Sequence, residues 1–122
     1  MNPKVFALTA FALVLVAPAA HADPLRSGQC YLSVDGKVAL DGACKYSIEK
    51  DGSIGFQTPG RGDLFGMLDL NGGGTAKGYW NEGAGSHAHS PLGGALTRRG
   101  GCWSNDAAKL CVWAPGTRPA SF

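Results

Sequence analysis

After Ala22 no stretch of this chain keeps an apolar helical period for three turns, which leaves strands as the means of building a core. No second apolar run approaches the length that spans a bilayer. The cysteines include no C-x-x-C pair, so neither a zinc ribbon nor a thioredoxin-like redox pair is encoded. No G-x-S-x-G elbow is present to expose a serine nucleophile. Positive charge is scarce and scattered. Arg98-Arg99 is the one adjacent basic pair, and it reads as a solvated strand edge. This argues against nucleic-acid binding, which needs a concentrated basic surface.

The start of the chain is informative. Lys4 precedes an apolar run, Val5 to Ala17, and then Ala20-His21-Ala22. A basic end, an apolar middle and a small-x-small site are the three parts of a secretory leader. As a helix the run reaches only about 20 Å, against roughly 30 Å of bilayer hydrocarbon, so it is expected to be removed and not to anchor. Asp23 follows the cut where a lipoprotein would need cysteine. The expected division is a cleaved leader over 1–22, one β domain over 23–114 and a flexible tail over 115–122. The mature product is then periplasmic or secreted, without a transmembrane segment, in a space where thiols oxidise. Removal of Lys4 leaves a net charge close to +1 (whole chain +2).

Glycine is abundant: 19 residues, in clusters such as Gly72-Gly73-Gly74 and Gly100-Gly101. Clusters between apolar strings read as turns. Asp35-Gly36 suits a two-residue primed turn between Tyr31–Val34 and Lys37–Leu40. A second hairpin pairs Tyr46 with Phe56 and Ile48 with Ile54 around Lys50-Asp51-Gly52, with Gly52 left-handed. A third joins 64–70 to 75–81. In the last, Cys102-Trp103-Ser104 faces Lys109-Leu110-Cys111, which sets Cys102 opposite Cys111. Facing Cβ atoms on paired strands lie within about 4.5–5.5 Å, close to bridging distance. A Cys102–Cys111 disulfide is expected, and Cys30–Cys44 follows by elimination. The fold class is all-β: a small antiparallel meander of about eight short strands, closed as a barrel or folded as a two-layer sandwich, with two disulfides.

Candidate chemistry is sparse. On a strand, His87 and His89 point to one face and could share Zn or Cu, completed by Glu82 or Asp69. With His21 lost there is no third histidine, and two ligands are fewer than zinc usually takes from protein. Ser86 and Ser90 beside the histidines do not make a triad, and the nine acidic residues suggest no paired-carboxylate site, so no enzyme activity and no cofactor are expected. Gly83-Ala84-Gly85-Ser86-His87-Ala88 fits G-x-G-x-x-G/A without the helix a dinucleotide site needs. The aromatics say more. Trp103 projects with Leu110 and Val112, while Trp113 projects to the opposite side with Cys102 and Cys111. Rings on both faces mean a second layer or exposed apolar surface, and exposed apolar surface marks partner sites. Tyr79, Trp80, His87, His89 and Trp103 are the candidate binding residues.

The segments Gly78-Tyr79-Trp80-Asn81, His87-Ala88-His89, Leu92-Gly93 and Gly101–Asp106 with Lys109–Trp113, together with Cys30…Val34-Asp35-Gly36-Lys37…Asp41-Gly42-Ala43-Cys44, resemble a family of small exported proteobacterial proteins. That family brings no catalytic residues with it. In architecture the chain is similar to periplasmic inhibitors of c-type lysozyme, which are also exported, all-β and disulfide-tied. The expectation is a small extracytoplasmic binding protein, an inhibitor or binder of a cell-envelope enzyme or glycan. A metal-binding protein using His87 and His89, and an envelope structural or stress protein, are the alternatives.

Overall fold

The computed structural model describes residues 10, 12 and 24–122. The expected leader and its cleavage site near Ala22 otherwise lie outside the described residues. Among these there are nine strands and no helix. They are β1 (Arg26–Val34), β2 (Lys37–Ile48), β3 (Ile54–Gln57), β4 (Phe65–Gly72), β5 (Thr75–Trp80), β6 (Ser90–Pro91), β7 (Leu96–Arg99), β8 (Cys102–Ser104) and β9 (Ala108–Trp113). Neighbouring strands pair antiparallel, β1 also pairs with β9, and β5 pairs with β7. The result is a closed eight-stranded barrel, with β6 as an extra strand on the outer part of β5. Closure leaves no long unpaired edge for another chain to extend.

The turns follow from the sequence. Asp35 and Gly36 both take positive φ (51° and 77°) between the paired Val34 and Lys37. That is the primed turn whose twist matches its strands. Tyr46 pairs with Phe56 and Ile48 with Ile54, and Gly52 has φ 91°. The third hairpin is tighter than the four-residue link the sequence suggests. Gly72 pairs with Thr75 around Gly73-Gly74, and a bulge at Asn71 absorbs the extra residue.

Alternation sends one set of side chains into the barrel. Leu32, Leu68, Leu92, Leu96 and Leu110 are fully buried there, with Cys30 and Cys44. An eight-stranded barrel is just wide enough for side chains to fill. The Cys30–Cys44 disulfide therefore lies inside, linking diagonal positions of β1 and β2 with Cα atoms 5.7 Å apart. Cys102 and Cys111 face each other directly, Cα atoms 4.0 Å apart, on the outer surface. They form a second cluster with Trp113 and Tyr31. Both tryptophans of this wall are buried, Trp103 inside (7% exposed) and Trp113 outside (6%).

The outer cluster has a lid. Ala114–Phe122 contains no strand, but its end lies back on the barrel. The Phe122 ring meets Trp113 (4.8 Å) and Tyr31 (4.9 Å) edge-on. The Arg118 guanidinium stacks on Trp113 and Phe122, each at 5.1 Å, and pairs with Asp41 at 2.7 Å. The segment expected to be a loose tail thus carries the cover of an outer apolar cluster. One aromatic residue and one arginine suffice for this, a signal easily missed in a Pro- and Gly-containing stretch.

Four glycines do work other than turning. A Cβ on Gly28 would lie 2.6 Å from Tyr46 Cε1, on Gly66 2.5 Å from Phe56 Cζ, on Gly78 2.7 Å from Leu92 Cδ1, and on Gly101 2.5 Å from Trp113 Nε1. Each is a seat for a large side chain.

Candidate functional site

The histidines sit on the loop between β5 and β6, and one residue shapes that loop. Asn81, 4% exposed, closes β5. Its Oδ1 accepts from the backbone N–H of Phe65 (3.1 Å) and Gly83 (3.1 Å). Its Nδ2 donates to the carbonyls of Asp63 (2.7 Å) and Gly85 (3.2 Å). Asparagine fits because a single amide both accepts and donates twice. Beyond this anchor His87 and His89 are exposed, their rings stacked with centroids 5.1 Å apart and planes 20° from parallel. No group of three or more His, Cys, Asp or Glu side chains placed to hold a metal occurs among the described residues.

The five expected binding residues divide. Tyr79 is half-buried on β5, with Met67 and Pro91 as cross-strand partners. Trp80 packs on the interior core and lines a recess at one end of the barrel, with Val34, Val38 and Pro91. Trp103 belongs to the same core but lines the opposite end. The structure brings Tyr79, Trp80 and the histidine loop to one end; it does not bring Trp103 there.

The end that Trp103 lines is the more developed site. Seven of the eight barrel strands each place an inward-facing residue around it. The apolar members are Ile48 of β2, Ile54 of β3, Leu70 of β4, Trp103 of β8 and Val112 of β9. Arg26 of β1 and Arg98 of β7 complete the ring. The volume of the recess is about 440 Å³, within the range of small-ligand sites, which favour barrel mouths. Buried Tyr46 and Trp103 close its inner part, whereas Ile48 remains 39% exposed. The mouth is therefore apolar, open to solvent and without a covering segment among the described residues.

No protein-family model, curated protein or solved structure matches the chain.

No carboxylate, carboxamide or aliphatic hydroxyl side chain lines the mouth. Its side-chain polar groups are two guanidiniums, the Tyr46 phenol and the Trp103 indole, nearly all of them donors. Arg98 donates through Nε to the Gly100 carbonyl at 3.0 Å. The only ion pair among the described residues is Arg118–Asp41, so neither mouth arginine is neutralised by a carboxylate there. On the rim, the loop between β2 and β3 is held firm. The Asp51 carboxylate accepts from Ser53 N–H (2.8 Å) and Ser53 Oγ–H (3.0 Å), and these bonds hold its pKa below the usual aspartate value. Ser53 Oγ in turn accepts from Leu70 N–H at 3.2 Å, tying the loop to β4.

A larger recess, about 530 Å³, lies outside the barrel beside the C-terminal segment. Its rings are already engaged, Trp113 with Phe122 and both with Arg118. The mouth has apolar surface left unpaired. Sequence reading reached only Trp103 of this site. The facing of Ile48 with Ile54 and of Val112 with Trp103 is local, but their convergence with Arg26 and Leu70 depends on closure of the barrel by β1 with β9 and β5 with β7.

Proposed function

We propose that this is a small exported binding protein, cleaved near Ala22 and working in the periplasm or outside the cell, that acts by holding a component of the cell envelope. Two disulfides suit such an oxidising compartment. The observation that carries the reading is the open apolar mouth, built by seven strands. Envelope enzymes and envelope glycans are the partner classes to try first. Labelled protein would be titrated with lysozyme, with cell-wall fragments and with solubilised envelope lipid, and amide shifts followed by NMR. Shifts at Ile48, Ile54 and the Trp103 indole are expected. Shifts confined to residues 82–89 would move the site to the histidine loop, and no shift with any fraction would remove the binding reading.

The second reading is metal binding by His87 and His89, whose exposed rings lie 5.1 Å apart. Zn or Cu held there would need water or another molecule to complete its shell. Calorimetric titration of Zn²⁺ and Cu²⁺, repeated on His87→Ala/His89→Ala, tests it.

A further inference from the structure

We infer that the mouth takes a single-chain anionic amphiphile, a carboxylate carrying a medium-length alkyl chain. This deepens the binding reading above and rests on it. The alkyl chain lies against Ile48, Ile54, Leu70 and Val112 over the Trp103 ring. Each buried methylene there strengthens binding roughly fourfold. The head stays at the solvent-facing rim, where Arg26 and Arg98 stand.

Three features select the charge. First, both charged side chains lining the mouth are cations, and the one rim carboxylate named above, Asp51, is engaged by the backbone N–H and hydroxyl of Ser53. A cationic head would meet two like charges at close range. Second, the lining side chains offer donors and almost no acceptors. A carboxylate only accepts, so it matches them. Third, both guanidiniums lack a carboxylate partner among the described residues. Arginine on a carboxylate is the stronger, charge-assisted class of hydrogen bond. The β8 and β9 walls, with Trp103 and Val112, stand between the two arginines along the barrel. The apolar and cationic elements therefore belong to one opening.

The test uses purified, disulfide-bonded protein and three probes with the same chain: decanoate, decanol and decyltrimethylammonium, all below their micelle concentrations. Affinity is read by calorimetry, and location by NMR shifts of Ile48, Ile54 and the Trp103 indole. Decanoate should bind at least about tenfold tighter than decanol, and the cation more weakly than either. Arg26→Gln/Arg98→Gln should lose that advantage for decanoate and leave decanol unchanged. Both positions are exposed, and an unaltered melting temperature would show the fold intact. Decanol or the cation binding in the mouth as tightly as decanoate would overturn the anionic class but keep the mouth as the site. A double variant that binds decanoate like the parent would do the same. If no probe shifts the mouth residues, the amphiphile proposal falls, while the broader binding reading stands or falls on the titrations with lysozyme and cell-wall fragments.

Discussion

Replacing Gly66 by alanine is the sharpest test of how this barrel is packed. Gly66 lies on the inner face of β4, opposite Trp80 of β5 and Phe56 of β3. A methyl there would come within 2.5 Å and 2.8 Å of two Phe56 ring carbons, where carbons in contact keep about 3.5–4.0 Å. The ring would have to retreat by about an ångström into space already filled, since Leu32 and Leu68 are fully buried. It would also strike the backbone oxygen of Tyr79, which cannot rotate aside. Overpacking of this kind costs about 1–3 kcal/mol, and the backbone contact argues for the upper half. Alanine recovers about 0.5–1 kcal/mol through the unfolded chain. The net loss should be about 2 kcal/mol, which lowers the melting temperature of a domain of this size by roughly 8–16 °C. Thermal unfolding followed by circular dichroism, with disulfides intact, measures it. Gly94→Ala is the control: a Cβ there has nothing within 4 Å, and its effect should stay within about 0.5 kcal/mol. If Gly66→Ala melts with the control, the ring does not sit on that glycine and the packing described for β3, β4 and β5 is wrong.

Non-reducing peptide mapping should find Cys102 linked only to Cys111. Removing that nine-residue bridge by paired serine substitution should cost about 2.5 kcal/mol in denaturant unfolding. Asn81→Ala deletes four hydrogen bonds; it should cost about 2–3 kcal/mol and speed amide exchange at Phe65 and Gly83, and unchanged exchange there would count against the anchor. Asp51 titrates below the usual aspartate range when folded, so its contribution is present above that range and is lost as pH falls through the folded value. Asp51→Asn should abolish this part of the acid sensitivity, and parallel stability–pH curves for parent and variant would refute it.

Much of the architecture was legible because local rules governed it. The primed turn at Asp35-Gly36, the 46–56 and 48–54 pairs and the facing Cys102 and Cys111 each follow from period-two alternation and turn chemistry within a dozen residues. The barrel alternative, weighed beside a sandwich, is the one observed. What escaped was non-local. Leu92 and Leu96 are fully buried, yet Leu92 follows the two-residue β6 and Leu96 opens the four-residue β7, short strands that no alternating pattern announces. Glycine read as punctuation because composition cannot separate a turn glycine from one beneath a ring. Gly73 and Gly74 are the former, Gly28 and Gly66 the latter. The candidate site suffered most: sequence proximity grouped Tyr79, Trp80 and the histidines, but it could not foresee that closure sends Trp103 to the other end, with Arg98 of the adjoining β7 and Arg26 of β1.

The two disulfides stand on opposite sides of one wall, which gives a reductant two unequal tasks. To reach Cys30–Cys44 the strands themselves must part, so its opening tracks global unfolding. To reach Cys102–Cys111 only the rings packed on it, Trp113 and Tyr31 with Phe122 lying over them, need lift. The bridges should therefore open in order, outer before inner. The speed of the first step then reports how often the last residues leave their berth, a local clock that needs no added label.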